Sequence, residues 1–173
     1  AWLGGLKKQK GKEEIQLEKD EPIYRAGVMD LSICKDSMLW VATNGSGLIV
    51  KRLDQEWLLD EKYGMKSGVC NTVLVDTVEP IAWIGTPRGL AWITQAENEN
   101  KPFQVRWMDQ KTGLLGNDIR KIHMHQQQLL ILSTAGITVL DPYRKWETAI
   151  PPSIILTDLL VGDEHFPLEE KVR

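Results

Sequence analysis

The sequence predicts an all-β fold, a partial β-propeller, and three observations carry that expectation. A short phrase recurs. It reads Leu39-Trp40-Val41-Ala42-Thr43-Asn44-Gly45-Ser46-Gly47-Leu48, then Ala82-Trp83-Ile84-Gly85-Thr86-Pro87-Arg88-Gly89-Leu90, and in a more worn copy Leu130-Ile131-Leu132-Ser133-Thr134-Ala135-Gly136-Ile137. The threonines are spaced at 43 positions (Thr43 to Thr86) and 48 positions (Thr86 to Thr134), which is the period of a propeller blade. Each copy is also a short apolar run followed by a glycine turn, and it is preceded by a stretch of alternating apolar and polar residues.

The elements of each unit follow in order. The alternating runs Val28–Ile33, Cys70–Val75 and Ile119–Met124 read as half-buried first strands, because side chains alternate faces with period two. Polar turns come next, at Lys35-Asp36-Ser37, Thr77–Pro80 and Gln126-Gln127-Gln128. The nearly continuous apolar runs that end at Thr43, Thr86 and Thr134 read as second strands covered on both faces. Gly47, Gly89 and Gly136 supply the positive φ of the next turn. Third strands are expected at Leu48–Leu53, Leu90–Thr94 and Ile137–Asp141. Weaker fourth strands are expected at Glu56–Leu59 and Phe103–Trp107. Tyr63-Gly64-Met65-Lys66 and Thr112–Asn117 lead into the next unit.

Two complete blades thus span 28–66 and 69–117, within a propeller segment at 28–150. Residues 1–27 read as a partial blade and outer strand: Ala1–Leu6 looks like the second strand and turn of an earlier unit, and Lys7–Asp20 like a solvated loop and strand. At the other end, Pro151-Pro152 breaks strand pairing. Ser153–Asp163 then reads as the first strand of a separate β-domain, with 151–173 as linker and strand.

The 173 residues suffice for one domain or a domain and a fragment. A net charge of −3 gives no basic face for nucleic acid. No apolar run reaches the length that spans a bilayer, so direct membrane contact is not expected. The chain opens mid-blade, as a piece of a longer protein would. Alignment of the units pairs Cys70 with Val28 and Cys34 with Asp76, so the two cysteines hold different strand positions and read as unbridged small residues.

Connectivity puts the loop after each second strand and the loop into each first strand at one end of the unit. Asn44, Ser46, Lys66, Ser67, Asn71, Arg88, Asn117 and Asp118 therefore share a rim, the usual place for binding on a rigid scaffold. Amides, hydroxyls and an Arg fork suit sugar hydroxyls and carboxylates; the same residue types also form turns. Trp40 and Trp83 hold equivalent inner positions and read as core between blades. Trp57, Trp107 and Trp146 lie off the repeat and are candidates for stacking or an interface, and Trp107 joins the candidate ligand residues. The structural positions of the repeat are Trp40, Thr43, Gly47, Trp83, Gly85, Thr86, Gly89, Thr134 and Gly136. Asn44-Gly45-Ser46 matches a glycosylation acceptor but is better explained as a turn. His123 and His125 share a strand face, yet no evident third metal ligand accompanies them. No catalytic residue, metal or cofactor is expected, and no nucleophile elbow or phosphate loop occurs.

Trp83–Leu90, the preceding alternating strand and the lead-in Gly113-Leu114-Leu115-Gly116-Asn117-Asp118-Ile119 resemble the two-component-regulator propeller repeat. The run from Pro151 is similar to the start of the tyrosine-motif Ig-like domain that follows such propellers. The resemblance covers about 28–163. It implies the periplasmic sensor region of a hybrid two-component histidine kinase, which senses ligands, commonly glycan fragments. Departures are the missing Trp of the third repeat and Val41-Ala42-Thr43 in the first. The implied partners are an oligosaccharide, further blades of the parent chain, and a second copy in a homodimer. Two other readings stay open: a protein–protein scaffold, and a propeller lyase or glycosidase using Asp30, Asp76 and His123. Fewer than four blades cannot close a ring, so unpaired edges are expected to meet another copy or further chain.

Overall fold

The computed structural model describes residues 26–34, 37–53, 55–76, 78–98 and 101–144 with side chains. Four short strands, at 7–10, 13–16, 159–161 and 164–166, are described by backbone alone. Among these residues the fold is sheet with two single turns of 3-10 helix. It forms two compact units, Ala1–Pro142 and Tyr143–Arg173.

The first unit opens with a hairpin, β1 (Lys7–Lys10) against β2 (Glu13–Gln16). Two four-stranded antiparallel meanders follow. The first is β3 (Val28–Ile33), β4 (Leu39–Thr43), β5 (Leu48–Arg52) and β6 (Gln55–Leu59); the second is β7 (Thr72–Val75), β8 (Ile81–Thr86), β9 (Gly89–Gln95) and β10 (Phe103–Met108). A three-stranded meander comes next: β11 (Ile119–His125), β12 (Gln128–Ser133) and β13 (Gly136–Leu140). These are successive blades of a partial β-propeller. The second unit holds one hairpin, β14 (Leu159–Val161) with β15 (Glu164–Phe166). β14 lies within the Ser153–Asp163 run that the sequence reads as one strand, and β15 lies beyond it; Trp2, Trp146 and the Pro151-Pro152 junction lie outside the described residues.

The pattern of each strand explains its place. On β4 the cross-strand sets alternate: Leu31, Val41, Ile49 and Leu58 share one face, and Ser32, Trp40, Val50 and Trp57 share the other. The second set packs toward the next sheet. There Trp40, Ala42, Leu48, Val50 and Leu59 form one core with Val73, Ala82, Ile84, Ala91, Ile93 and Phe103. Phe103 is its hub, edge-on to Trp40 at 5.5 Å and to Trp57 at 5.4 Å, a geometry favoured by the ring quadrupoles. Trp57, expected as a stacking surface, is half-buried against this core. Trp83 is 1% exposed and packs on its cross-strand neighbour Trp92 at 6.0 Å.

The repeat phrase is a hydroxyl-stapled turn. Thr43 Oγ1 donates to the Gly47 carbonyl at 2.7 Å and accepts from Ser46 N; Thr86 Oγ1 donates to the Gly89 carbonyl at 2.8 Å and accepts from Arg88 N. In the third sheet Ser133 fills this role, donating to the Gly136 carbonyl at 3.0 Å and accepting from Ala135 N. The sequence expectation of Thr134 is therefore one residue late. β12 ends at Ser133, and Thr134 is an exposed turn residue whose amide donates to the Asp118 carbonyl. The hydroxyl is the common feature, and Ser supplies it as well as Thr. Gly89 is needed for two reasons: φ is 127°, and a Cβ there would lie 2.5 Å from the Met108 carbonyl oxygen.

Candidate functional site

The inner strands meet in a polar cluster. Asp30, Thr72 and Lys121 pair across their sheets with Ala42, Gly85 and Leu132, the residues just before Thr43, Thr86 and Ser133. They therefore occupy one repeat position in three successive blades, and they converge. Asp30 Oδ2 accepts from Thr72 Oγ1 at 2.7 Å, from Lys121 Nζ at 2.9 Å and from Val73 N at 3.1 Å. Bulges immediately before Asp30 and Lys121 accompany this arrangement; such irregularities re-aim a side chain. Burial pushes the Asp30 carboxyl up. The bonds from Thr72, Lys121 and Val73 and the Lys121 charge outweigh it, so the net shift is downward.

This cluster also protects an edge. Val73 N and Val75 N point away from β8. They donate to Asp30 Oδ2 and to Ser32 Oγ, the latter at 3.3 Å. Two side chains of β3 thus satisfy the outer amides of β7, which would otherwise template foreign strand pairing. On the other side of β7, Asn71 Nδ2 donates to the Ile119 carbonyl at 2.8 Å.

At the rim, the chain leading into β7 crosses the β4–β5 turn. Gly45 N and Gly47 N donate to the Gly68 carbonyl, Cys70 N donates to the Thr43 carbonyl, and Asn44 bridges Val69. Asn44, Ser46 and the Ser67–Asn71 segment therefore come together as connectivity implies. The candidates then divide. Asn44, Lys66 and Arg88 are exposed, and Ser46 is half-buried. Asn71 is committed to Ile119. Asn117 Oδ1 accepts from Gln110 N at 2.8 Å, and Asp118 Oδ2 accepts from Arg120 at 2.6 Å. Trp107 is half-buried, with Nε1 donating to the Gly64 carbonyl at 2.8 Å and Lys66 Nζ 5.4 Å from the ring centroid.

Two recurring devices escaped the sequence reading. One is the Asp30–Thr72–Lys121 layer, visible as the residues that fall together when the first strands are aligned. The other is an Asp-x-x-x-Gly-apolar turn before each new blade. Asp60 caps Glu61–Tyr63, and Asp109 caps Gln110–Thr112, each carboxylate accepting an amide two residues on at 2.9 Å. Each Asp carbonyl also accepts from the apolar residue that follows the glycine, Met65 or Leu114.

Cys70 is a buried, unbridged thiol, and burial pushes its pKa up to about 12, against a smaller opposing effect of its hydrogen bond with Thr43. Cys34 Sγ donates to the Met38 carbonyl at 3.5 Å. His123 and His125 are exposed on β11, and no group of three metal-ligand side chains occurs among the described residues. Among the same residues no helix is long and apolar enough to cross a membrane.

No family model matches the chain, and no curated protein does. Solved structures do. The extracellular domain of BT3049 from B. thetaiotaomicron, assigned as a hybrid two-component system, matches 68% of this chain at 25% identity with a TM-score of 0.53. PorZ, an essential bacterial surface component of the type-IX secretion system of Porphyromonas gingivalis, matches 66% at 10% identity with a TM-score of 0.50, a likeness of fold alone. The chain spans 17% of the length of each. Its blades are thus those of a propeller segment similar to the extracellular domain of a hybrid two-component system.

Proposed function

We propose that this chain is an extracytoplasmic, periplasmic sensing segment of a hybrid two-component protein, and that its ligand is a glycan fragment. The likeness to the BT3049 extracellular domain carries the sensing reading. The glycan reading rests on the resemblance of the repeat and on the chemistry of the rim. Asn44, Arg88 and Lys66 are exposed donors on a scaffold whose turns are stapled by hydroxyls and glycines. Such groups recognise hydroxyls and uronate carboxylates. The ligand acts by binding one arrangement of the blades and the following Ig-like domain more tightly than another. This reading gives the segment no catalytic role, and it is supported by the carboxylate of Asp30 being tied to Thr72, Val73 and Lys121 and by Asp76 Oδ1 accepting from Val78 N.

Further blades of the parent chain, or a second copy in a homodimer, are the protein partners. Leu31 and Ile33 are 52% and 64% exposed on the first sheet, and Ile137 and Val139 are 61% and 56% exposed on the third. These are apolar positions of the kind that a neighbouring blade covers in the middle sheet.

The test is calorimetric titration of the intact extracytoplasmic region with a panel of neutral and uronate oligosaccharides. Saturable binding that weakens roughly tenfold in Arg88→Ala is the expected result. A panel without a binder would overturn the glycan reading.

A further inference from the structure

The Asn44-Gly45 pair carries a reactivity that none of the preceding roles uses. Of the five asparagines, Asn44 is the one followed by glycine; Asn71, Asn98, Asn100 and Asn117 precede Thr72, Glu99, Lys101 and Asp118. The side-chain amide of an asparagine is open to attack by the backbone nitrogen of the next residue, and a side chain on that residue obstructs the approach. Glycine has none. Asn44 and Gly45 are both exposed, and a Cβ on Gly45 would meet nothing within 4 Å, so water reaches the pair.

The backbone of the pair is clamped, and the lead-in to the second blade supplies most of the clamp. Gly45 N, the attacking nitrogen, donates to the Gly68 carbonyl at 3.0 Å. Gly47 N donates to the same carbonyl at 2.7 Å, and Asn44 N donates to the Gly27 carbonyl at 2.8 Å. Asn44 is also bridged to Val69. An N–H committed to a carbonyl holds its proton and fixes its peptide plane. We propose that Asn44 is a latent modification site, released when the Gly68–Cys70 lead-in lifts from the β4–β5 turn. Gly45 N then attacks Asn44 Cγ. The N–Cγ bond forms and the Cγ–Nδ2 bond breaks. The Gly45 proton passes through water to the departing nitrogen, which leaves as ammonia. Water opens the resulting succinimide at either carbonyl and leaves aspartate or isoaspartate. The isoaspartyl product lengthens the backbone by one methylene, so the clamp cannot re-form in its original register. The reaction therefore records a separation of the first two blades, and it does not depend on the glycan reading.

The test is incubation of the full chain at mildly alkaline pH, with peptide mapping by mass spectrometry to follow the aspartyl and isoaspartyl forms at position 44. The chain unfolded in guanidinium chloride gives the unclamped rate, and there Asn44 should react ahead of the other asparagines. In native buffer the rate at Asn44 should be at least roughly tenfold lower, because only the locally opened fraction reacts. A Cβ on Gly68 would lie 2.7 Å from the Gly45 carbonyl oxygen, so Gly68→Ala should lift the lead-in and raise the native rate severalfold. Hydrogen exchange at the Gly45 amide gives a second readout that needs no variant. As denaturant is added below the unfolding transition, exchange and deamidation should rise together, since both follow the same open population. Reaction as fast in the native chain as in the unfolded one would overturn the proposal. So would a folded Gly68→Ala chain that reacts no faster, or Gly45 exchange that rises while the rate at Asn44 stays unchanged.

Discussion

Asp30 links three blades through one carboxylate oxygen, so its protonation reports on the packing between them. Its pKa is lowered on folding from the ordinary 3.8. Its contribution is therefore present above the ordinary value and is lost as the pH falls through the lowered one. Urea unfolding between about pH 6 and about pH 2 should show this loss, and Asp30→Asn should remove that part of the acid slope. At neutral pH the substitution should cost about 1–3 kcal/mol, the range for a hydrogen-bonded charge. Cys70 behaves in the opposite sense. Its raised pKa keeps the folded thiol protonated while the unfolded thiol ionises from about 9.0 upward. Stability should then fall as the pH rises from about 9 toward about 12, and this component should vanish in Cys70→Ala. Cys70 should also resist alkylation in the native state, because the thiolate is the reactive form.

At the level of elements, the repeat turn and the close packing behind it set the tolerance to change. A Cβ on Gly85 would lie 2.6 Å from Ile119 Cγ2 and 2.7 Å from Thr72 Cγ2. Gly85→Ala should thus destabilise the chain by about 1–3 kcal/mol in urea unfolding. The first blade carries Ala42 at this position, fully buried. The β11–β12 turn offers the reverse case. Gln126 and Gln127 both have positive φ, 47° and 64°, without the Asn-Gly that such a turn favours. Gln127→Gly should raise stability by about 0.5–1 kcal/mol, read as a higher urea midpoint at unchanged slope.

These elements also explain what the sequence disclosed. Period-two alternation in the sequence located β3, β7 and β11, although only β3 shows an alternating burial pattern in the structure. The continuous apolar runs located β4 and β8, because both of their faces are covered. The third repeat slipped by one residue because a Ser-Thr pair offers two hydroxyls, and only backbone register decides that Ser133 closes the turn. The rim was legible as a place, since connectivity alone puts the loops at one end. Its members were less legible, because whether Asn71 or Asn117 faces solvent or a neighbouring backbone is a matter of tertiary contact.

For the whole molecule, the outer faces matter most. Leu31 and Ile33 on one sheet and Ile137 and Val139 on another are exposed apolar residues on broad strands, the kind of surface that associates in water. Sedimentation of this chain should show concentration-dependent self-association, and Ile33→Glu with Ile137→Glu should shift it toward monomer.

The most direct test of the sensing account is phosphorylation of the intact protein in membrane vesicles, measured with and without a glycan that binds its extracytoplasmic region. The account predicts that the glycan changes phosphate incorporation saturably, and that Arg88→Ala moves the response to higher glycan concentration. Binding without any change in phosphorylation would contradict it.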